Sequence, residues 1–217
     1  MPHVVLLGDS IFDNQSYVEP GEPDVIRQLR ARLPTDWEAT LLAVDGSVTN
    51  DIRFQLAHLP TDATHLVVSV GGNDALGQLD VLTSPASSVA EALARLAAIQ
   101  DQFELTYRRM LDTVLARRLP TAVCTIYNGN FPDTAYQRIA TFGVTSWDDT
   151  ILRCAIERGL PVIELRLICT DAADYANPIE PSARGGDKIA ATIAALVTTH
   201  NFAQGRTAIY RQPADGA

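Results

Sequence analysis

The stretch Val4-Val5-Leu6-Leu7-Gly8-Asp9-Ser10-Ile11-Phe12-Asp13-Asn14 decides the fold. Four consecutive aliphatic residues predict a strand buried on both faces, as in a parallel sheet covered by helices. Gly8 allows the backbone to turn sharply where the apolar run stops. Ser10 follows at once, just past the carboxyl end of the strand, where open α/β sheets place their ligands. A nucleophilic hydroxyl is useful at that position, although Gly, Asp and Ser also form ordinary turns.

The rest of the chain repeats this grammar. Pro23 stands at a helix start, and Asp24–Leu33 carries apolar residues at helical spacing before Pro34. A second strand is predicted over Glu38–Val44, ending at Asp45-Gly46, and Thr49 then caps a helix reaching about His58. A third strand, His65–Val70, closes on Gly71-Gly72-Asn73-Asp74. A long helix is predicted over Val89–Arg118, rich in Ala, Leu, Glu and Arg. Pro120–Tyr127 reads as a fourth strand with the polar end Asn128-Gly129-Asn130. Asp133–Arg158 reads as a helix stopped by Gly159, and Pro161–Leu165 as a fifth strand. A polar loop, Cys169–Arg184, leads to a last helix over Asp187–Thr199.

Strands alternating with helices predict an α/β fold: a doubly wound, flavodoxin-like, five-stranded parallel sheet with helices on both faces. Residues 1–200 are expected to form one domain and 201–217 a loose C-terminal tail. The chain has neither a G-x-G-x-x-G run nor a P-loop, so no dinucleotide or nucleotide cofactor is expected. Its net charge is −9, a poor match to nucleic acid or an anionic membrane surface. Three cysteines, Cys124, Cys154 and Cys169, form neither a disulfide framework nor a zinc pattern, and no metal site is expected. No run is long enough to insert in a membrane, and the N-terminus enters a strand directly after Met1-Pro2-His3. A cytoplasmic location is expected, and the oligomeric state is left open.

In a doubly wound sheet the loops after the strands converge. They carry Ser10 with Asp9 and Asp13, then Gly46, then Gly72-Asn73-Asp74, then Asn128 and Asn130, and last the loop with Asp171, Asp174, Asn177 and Glu180. Acyl transfer needs a nucleophile, a base and donors for an oxyanion. Ser10 can attack, while the N–H groups of Ser10 and Gly46 and the amide of Asn73 can serve as donors. Asp13, Tyr127 and Asn128 are candidate substrate contacts, and Tyr17, Phe12 and Phe131 can join them.

Gly8-Asp9-Ser10, Gly46 and Gly72-Asn73-Asp74, in this order on this alternation, resemble the SGNH (GDSL) hydrolases. The segment Glu180-Pro181-Ser182-Ala183-Arg184-Gly185 is similar to that family's last block, normally D-x-x-H-P-S-x-x-G. The resemblance spans essentially the whole chain. It implies a cofactor-free hydrolase of esters or related acyl groups, with Ser10 as nucleophile and Ser10, Gly46 and Asn73 as the oxyanion hole.

One block departs from the pattern. Aligned on Pro181-Ser182, the family's catalytic His is Glu180 and its Asp is Asn177. The four histidines sit where strands begin (His3, His65) or helices end (His58, His200), at the edge opposite the catalytic loops. Two functions therefore remain open. One is a serine acyl-ester hydrolase working through acyl-Ser10, with Glu180 as base and Asn177 beside it. The other is a weak or inactive member that binds a small acylated or glycosylated ligand, with Glu180 merely paired to Arg184 or Lys188.

Overall fold

The structure is a computed structural model that describes residues 1–211. Six parallel strands form one sheet in the order β2-β1-β3-β4-β5-β6. They are β1 (His3–Gly8), β2 (Glu38–Leu41), β3 (His65–Ser69), β4 (Thr121–Cys124), β5 (Val162–Ile163) and β6 (Ile209–Tyr210). The helices are α1 (Val25–Arg32), α2 (Ile52–Gln55), α3 (Gly72–Leu76), α4 (Val89–Leu115), α5 (Thr134–Glu157) and α6 (Ala183–Thr199).

Alternation along β1 builds both halves of the core. Val4 and Leu6 face α1 and α6, packing with Leu29, Ile189 and Ile193. Val5 and Leu7 face the other side, with Ile52, Tyr107, Leu111 and Ile151 from α2, α4 and α5. All four β1 side chains are fully buried, which is why the run lacks polar alternation.

Among the departures from the expected architecture, three concern the edges of the sheet and the last helix. The sheet has six strands, because Ile209 and Tyr210 pair with Val162 and Ile163 in the segment read as a tail. Residues 212–217 of that expected tail lie outside the described residues. The strand at Glu38 stops at Leu41, although Leu42, Ala43 and Val44 still donate backbone hydrogen bonds to Leu6 and Gly8. The last helix starts at Ala183, four residues early, because Ser182 caps it by accepting from the Gly185 N–H at 3.2 Å. Gly185 costs helix propensity there, but a Cβ on it would stand 2.1 Å from the Asp174 carbonyl oxygen. Glycine lets α6 pack directly on the preceding loop.

The two long helices matter most for the site. In α4 the buried residues run from Phe103 onward, and in α5 from Trp147 onward. Helices of a parallel α/β sheet start at the carboxyl edge of the strands. The first halves of α4 and α5 therefore project past that edge and wall a space above it.

Candidate active site

Gly8 sets the geometry at the end of β1. Its φ is +142°, and a Cβ would lie 1.9 Å from the Ser69 carbonyl oxygen on β3. Only glycine fits, which lets β1 lie against β3 up to the residue where the chain turns. Gln55 of α2 bonds both polar groups of Gly8, accepting from its N–H at 2.8 Å and donating to its carbonyl at 2.7 Å. In the turn that follows, the N–H groups of Phe12 and Asp13 donate to the Asp9 carbonyl, and that of Ile11 donates to the Asp9 carboxyl. Among the described residues the Ser10 N–H has no such backbone partner.

Ser10 lies at the head of a cavity of about 140 Å³. Asp9, Asn73 and Glu180 line it too, while Leu76, Leu79, Leu96, Ile126, Ile139 and Trp147 make much of the wall apolar. The walls are the projecting halves of α4 and α5, the short α3 and the segment after it. None of the four histidines lines the cavity. His3 and His65 open β1 and β3, His58 follows α2, and His200 follows α6 beside Tyr210.

Three loops hold Glu180 toward Ser10. Asn177 Oδ1 accepts from the N–H groups of Ile179 at 2.9 Å and Glu180 at 3.0 Å, so it shapes the turn before the carboxylate. The Tyr127 hydroxyl donates to the Ile179 carbonyl. Asn14, fully buried after β1, donates to the Pro181 carbonyl at 3.2 Å and accepts from the Val25 N–H at 2.9 Å. Asn14 thus joins the Ser10 loop to the Glu180 loop.

Burial pushes the Glu180 carboxyl up to about 7. The Ser10 hydroxyl opposes that shift as a hydrogen-bond donor, and the charge of Asp45 adds to it. Glu180 is 6% exposed, and its Oε2 has no full hydrogen bond. Arg184 and Lys188 do not neutralise it. Arg184 pairs with Asp171 at 2.7 Å and Lys188 with Asp174 at 2.7 Å. Asp174 is held further by the N–H groups of Thr170 and Asp171, and it does not line the cavity.

Asn73 stands in the first turn of α3 and lines the cavity. Its Nδ2 donates to the Ser47 carbonyl at 3.0 Å, leaving a second amide hydrogen. Asp74 accepts from both the N–H and the hydroxyl of Thr49, tying the same loop to α3. Gly46, expected as an oxyanion donor, stands at φ +77° in an exposed turn and does not line the cavity; only the carbonyl of its neighbour Ser47 contacts a lining residue, accepting from Asn73.

Tyr127, Asn128 and Phe131 line the cavity as expected of substrate contacts. Asp13, Tyr17 and Phe12 do not. Asp13 accepts from the Asp45 N–H, Tyr17 bonds the Asp45 carboxylate, and Phe12 is fully buried in the core. Asp9, placed beside Ser10 by the sequence but given no role there, also lines the cavity. Burial pushes its carboxyl up to about 8 against the Ile11 N–H, with the charges of Glu180 and Asp74 adding to the rise. Asp9 is therefore mostly neutral at pH 7.

Residues 6–188 match the sequence profile of the GDSL-like Lipase/Acylhydrolase family. The chain belongs to this family. Solved structures of lipases and esterases share its fold. The extracellular lipase of Streptomyces rimosus is 17% identical, with a TM-score of 0.63, over 93% of this chain and all of that one. An acetyl xylan esterase, AlAXEase, is 16% identical with a TM-score of 0.62, over 91% of this chain and all of that one. The lipase/acylhydrolase of Enterococcus faecalis is 17% identical with a TM-score of 0.60, over 99% of this chain and all of that one. No curated protein sequence matches the chain. Among the described residues of this GDSL-like hydrolase, no helix is long and apolar enough to cross a membrane.

Proposed function

We propose that this GDSL-like hydrolase cleaves small acyl esters through an acyl-Ser10 intermediate, with Glu180 as the general base in the place the family gives to histidine. The observation that carries the reading is the meeting of Ser10 and a buried, unpaired Glu180 in the wall of a largely apolar cavity. A carboxyl at its ordinary pKa of about 4.3 is a weak base for a serine hydroxyl. At about 7 it is a base matched to neutral pH.

The steps follow from these positions. Ionised Glu180 takes the Ser10 proton as Oγ attacks the ester carbonyl carbon. The Ser10 N–H and the second Asn73 amide hydrogen stabilise the oxyanion. Protonated Glu180 returns the proton to the departing alkoxide. Water, activated by the same carboxylate, then attacks the acyl-Ser10 carbonyl and restores the serine. Asn177 is a positioning residue here, because its oxygen is committed to the Ile179 and Glu180 N–H groups. The cavity beyond Ser10 receives the acyl chain.

A fluorophosphonate ester tests the nucleophile. The reagent should add to Ser10, found by peptide mass spectrometry, and abolish hydrolysis of short p-nitrophenyl esters. Ser10→Ala should be inert to both. An enzyme that hydrolyses esters without labelling at Ser10 contradicts the reading. A protein inactive on every acyl ester, whose cavity still binds them, supports a non-catalytic ligand-binding role instead.

A further inference from the structure

A second group of side chains lies at the amino edge of the sheet, opposite Ser10. His3 opens β1, Glu38 opens β2, and Asp62 stands in the loop before β3. The sheet brings them together, since β1 lies between β2 and β3 and His3 is in register with Glu38. His3 is 5% exposed, and a buried imidazole ordinarily bonds through both nitrogens. Its Nε2 lies 2.8 Å from the Thr40 hydroxyl. Its Nδ1 is buried with no hydrogen-bond partner. Yet Asp62 Oδ1 is 3.1 Å from Nδ1, and Glu38 Oε2 is 4.0 Å away. Nδ1 therefore points between two carboxylates without the alignment of a hydrogen bond to either.

We propose that His3, Glu38 and Asp62 bind a divalent transition cation of the Zn²⁺ type. The ligands would be His3 Nδ1 and one oxygen from each carboxylate. Zinc–nitrogen and zinc–oxygen bonds are about 2.0–2.2 Å, so two ligands of one ion stand at most about 4.3 Å apart. The two distances from Nδ1 fall within that limit. All three ligand atoms lie within 4.8 Å of one another. The side chains of Glu38 and Asp62 are 54% and 68% exposed, free to close any remaining gap by a rotamer change. The imidazole favours a transition cation such as zinc over Mg²⁺, and the two carboxylates neutralise the charge of the ion. Thr40 has the place of an outer-shell partner: accepting from Nε2–H, it leaves the Nδ1 lone pair for the ion. Bound there, the ion would tie β1, β2 and the loop before β3 together, far from Ser10.

The test uses the full chain, stripped with a chelator and titrated with ZnCl₂, with MgCl₂ as control. Calorimetry should find one Zn²⁺ per chain, and the melting temperature should rise with Zn²⁺ but not with Mg²⁺. Asp62→Asn and Glu38→Gln change exposed carboxylates and should preserve the fold and ester hydrolysis, while weakening Zn²⁺ binding tenfold or more. Thr40→Val should weaken binding by about 10–100-fold, and Thr40→Ser should restore it. No stoichiometric binding and no thermal shift in the wild type would reduce the cluster to a His3–Asp62 ion pair and overturn the proposal. Binding that survives both carboxylate substitutions would overturn it too, as an adventitious ion only, held elsewhere.

Discussion

Replacing Glu180 by Gln separates catalysis from stability at one side chain. The substitution preserves the shape and removes the ionisable group. A pKa of about 7 means that the base is about half ionised at pH 7. In the wild type, kcat/KM should therefore rise about tenfold for each pH unit between 5 and 6.5 and level off above about 7.5. In Glu180→Gln that rise should vanish, with kcat down by ~10²–10⁴-fold, the usual contribution of a general base. Stability should move the other way. The folded state holds the Glu180 proton more tightly than the unfolded chain, whose carboxyl titrates near its ordinary value of 4.5. The favourable contribution of the protonated group is complete below that value and is lost as pH rises through about 7. The shift corresponds to at most about 3 kcal/mol. Urea melts at pH 8 should show Glu180→Gln more stable than the wild type by up to that amount, and the two should be alike near pH 4. Kinetics on a short p-nitrophenyl ester, read against melts at both pH values, check the two arms. A Glu180→Gln enzyme that keeps its rate and its pH rise would refute the role of Glu180 as base. A variant less stable at pH 8 would refute the account of its burial.

Three further outcomes follow from the geometry. Asn73→Ala should lower kcat by ~10²-fold or more with a smaller effect on KM, measured by steady-state kinetics, because an oxyanion donor acts mainly in the transition state. Gly8→Ala should abolish soluble folded protein or lower the melting temperature sharply, since its Cβ would collide with the Ser69 carbonyl; circular dichroism checks this. Leu96→Trp should fill the apolar part of the cavity and shift preference toward shorter acyl chains, seen as a larger loss of kcat/KM on octanoate than on acetate esters.

The sequence by itself determined the alternation of strands and helices, because each signal is local. Four aliphatics at Val4–Leu7 and the helix formers of α4 are legible without knowing what packs on them. The serine, the glycine that frees its turn, and Asn73 were legible because each stands at or shortly past the end of a strand, and parallel winding brings strand ends together. Histidine placement followed from the same topology, since strand starts and helix ends share the far edge of the sheet.

Only the tertiary structure decided the rest. Two residues, Ile209 and Tyr210, are too few to show a strand period, so β6 exists through its pairing with β5. Sequence spacing allowed Arg184 and Lys188 to neutralise Glu180. Asp171 and Asp174 capture them instead, leaving the carboxyl buried and unpaired. The pKa values of Glu180 and Asp9 arise from desolvation by residues distant in the chain, which no local pattern encodes. The cavity walls depend on how far α4 and α5 overrun the sheet, a property of strand length set against helix length. Propensity and periodicity are properties of neighbours along the chain; burial, charge pairing and cavity shape belong to neighbours in space.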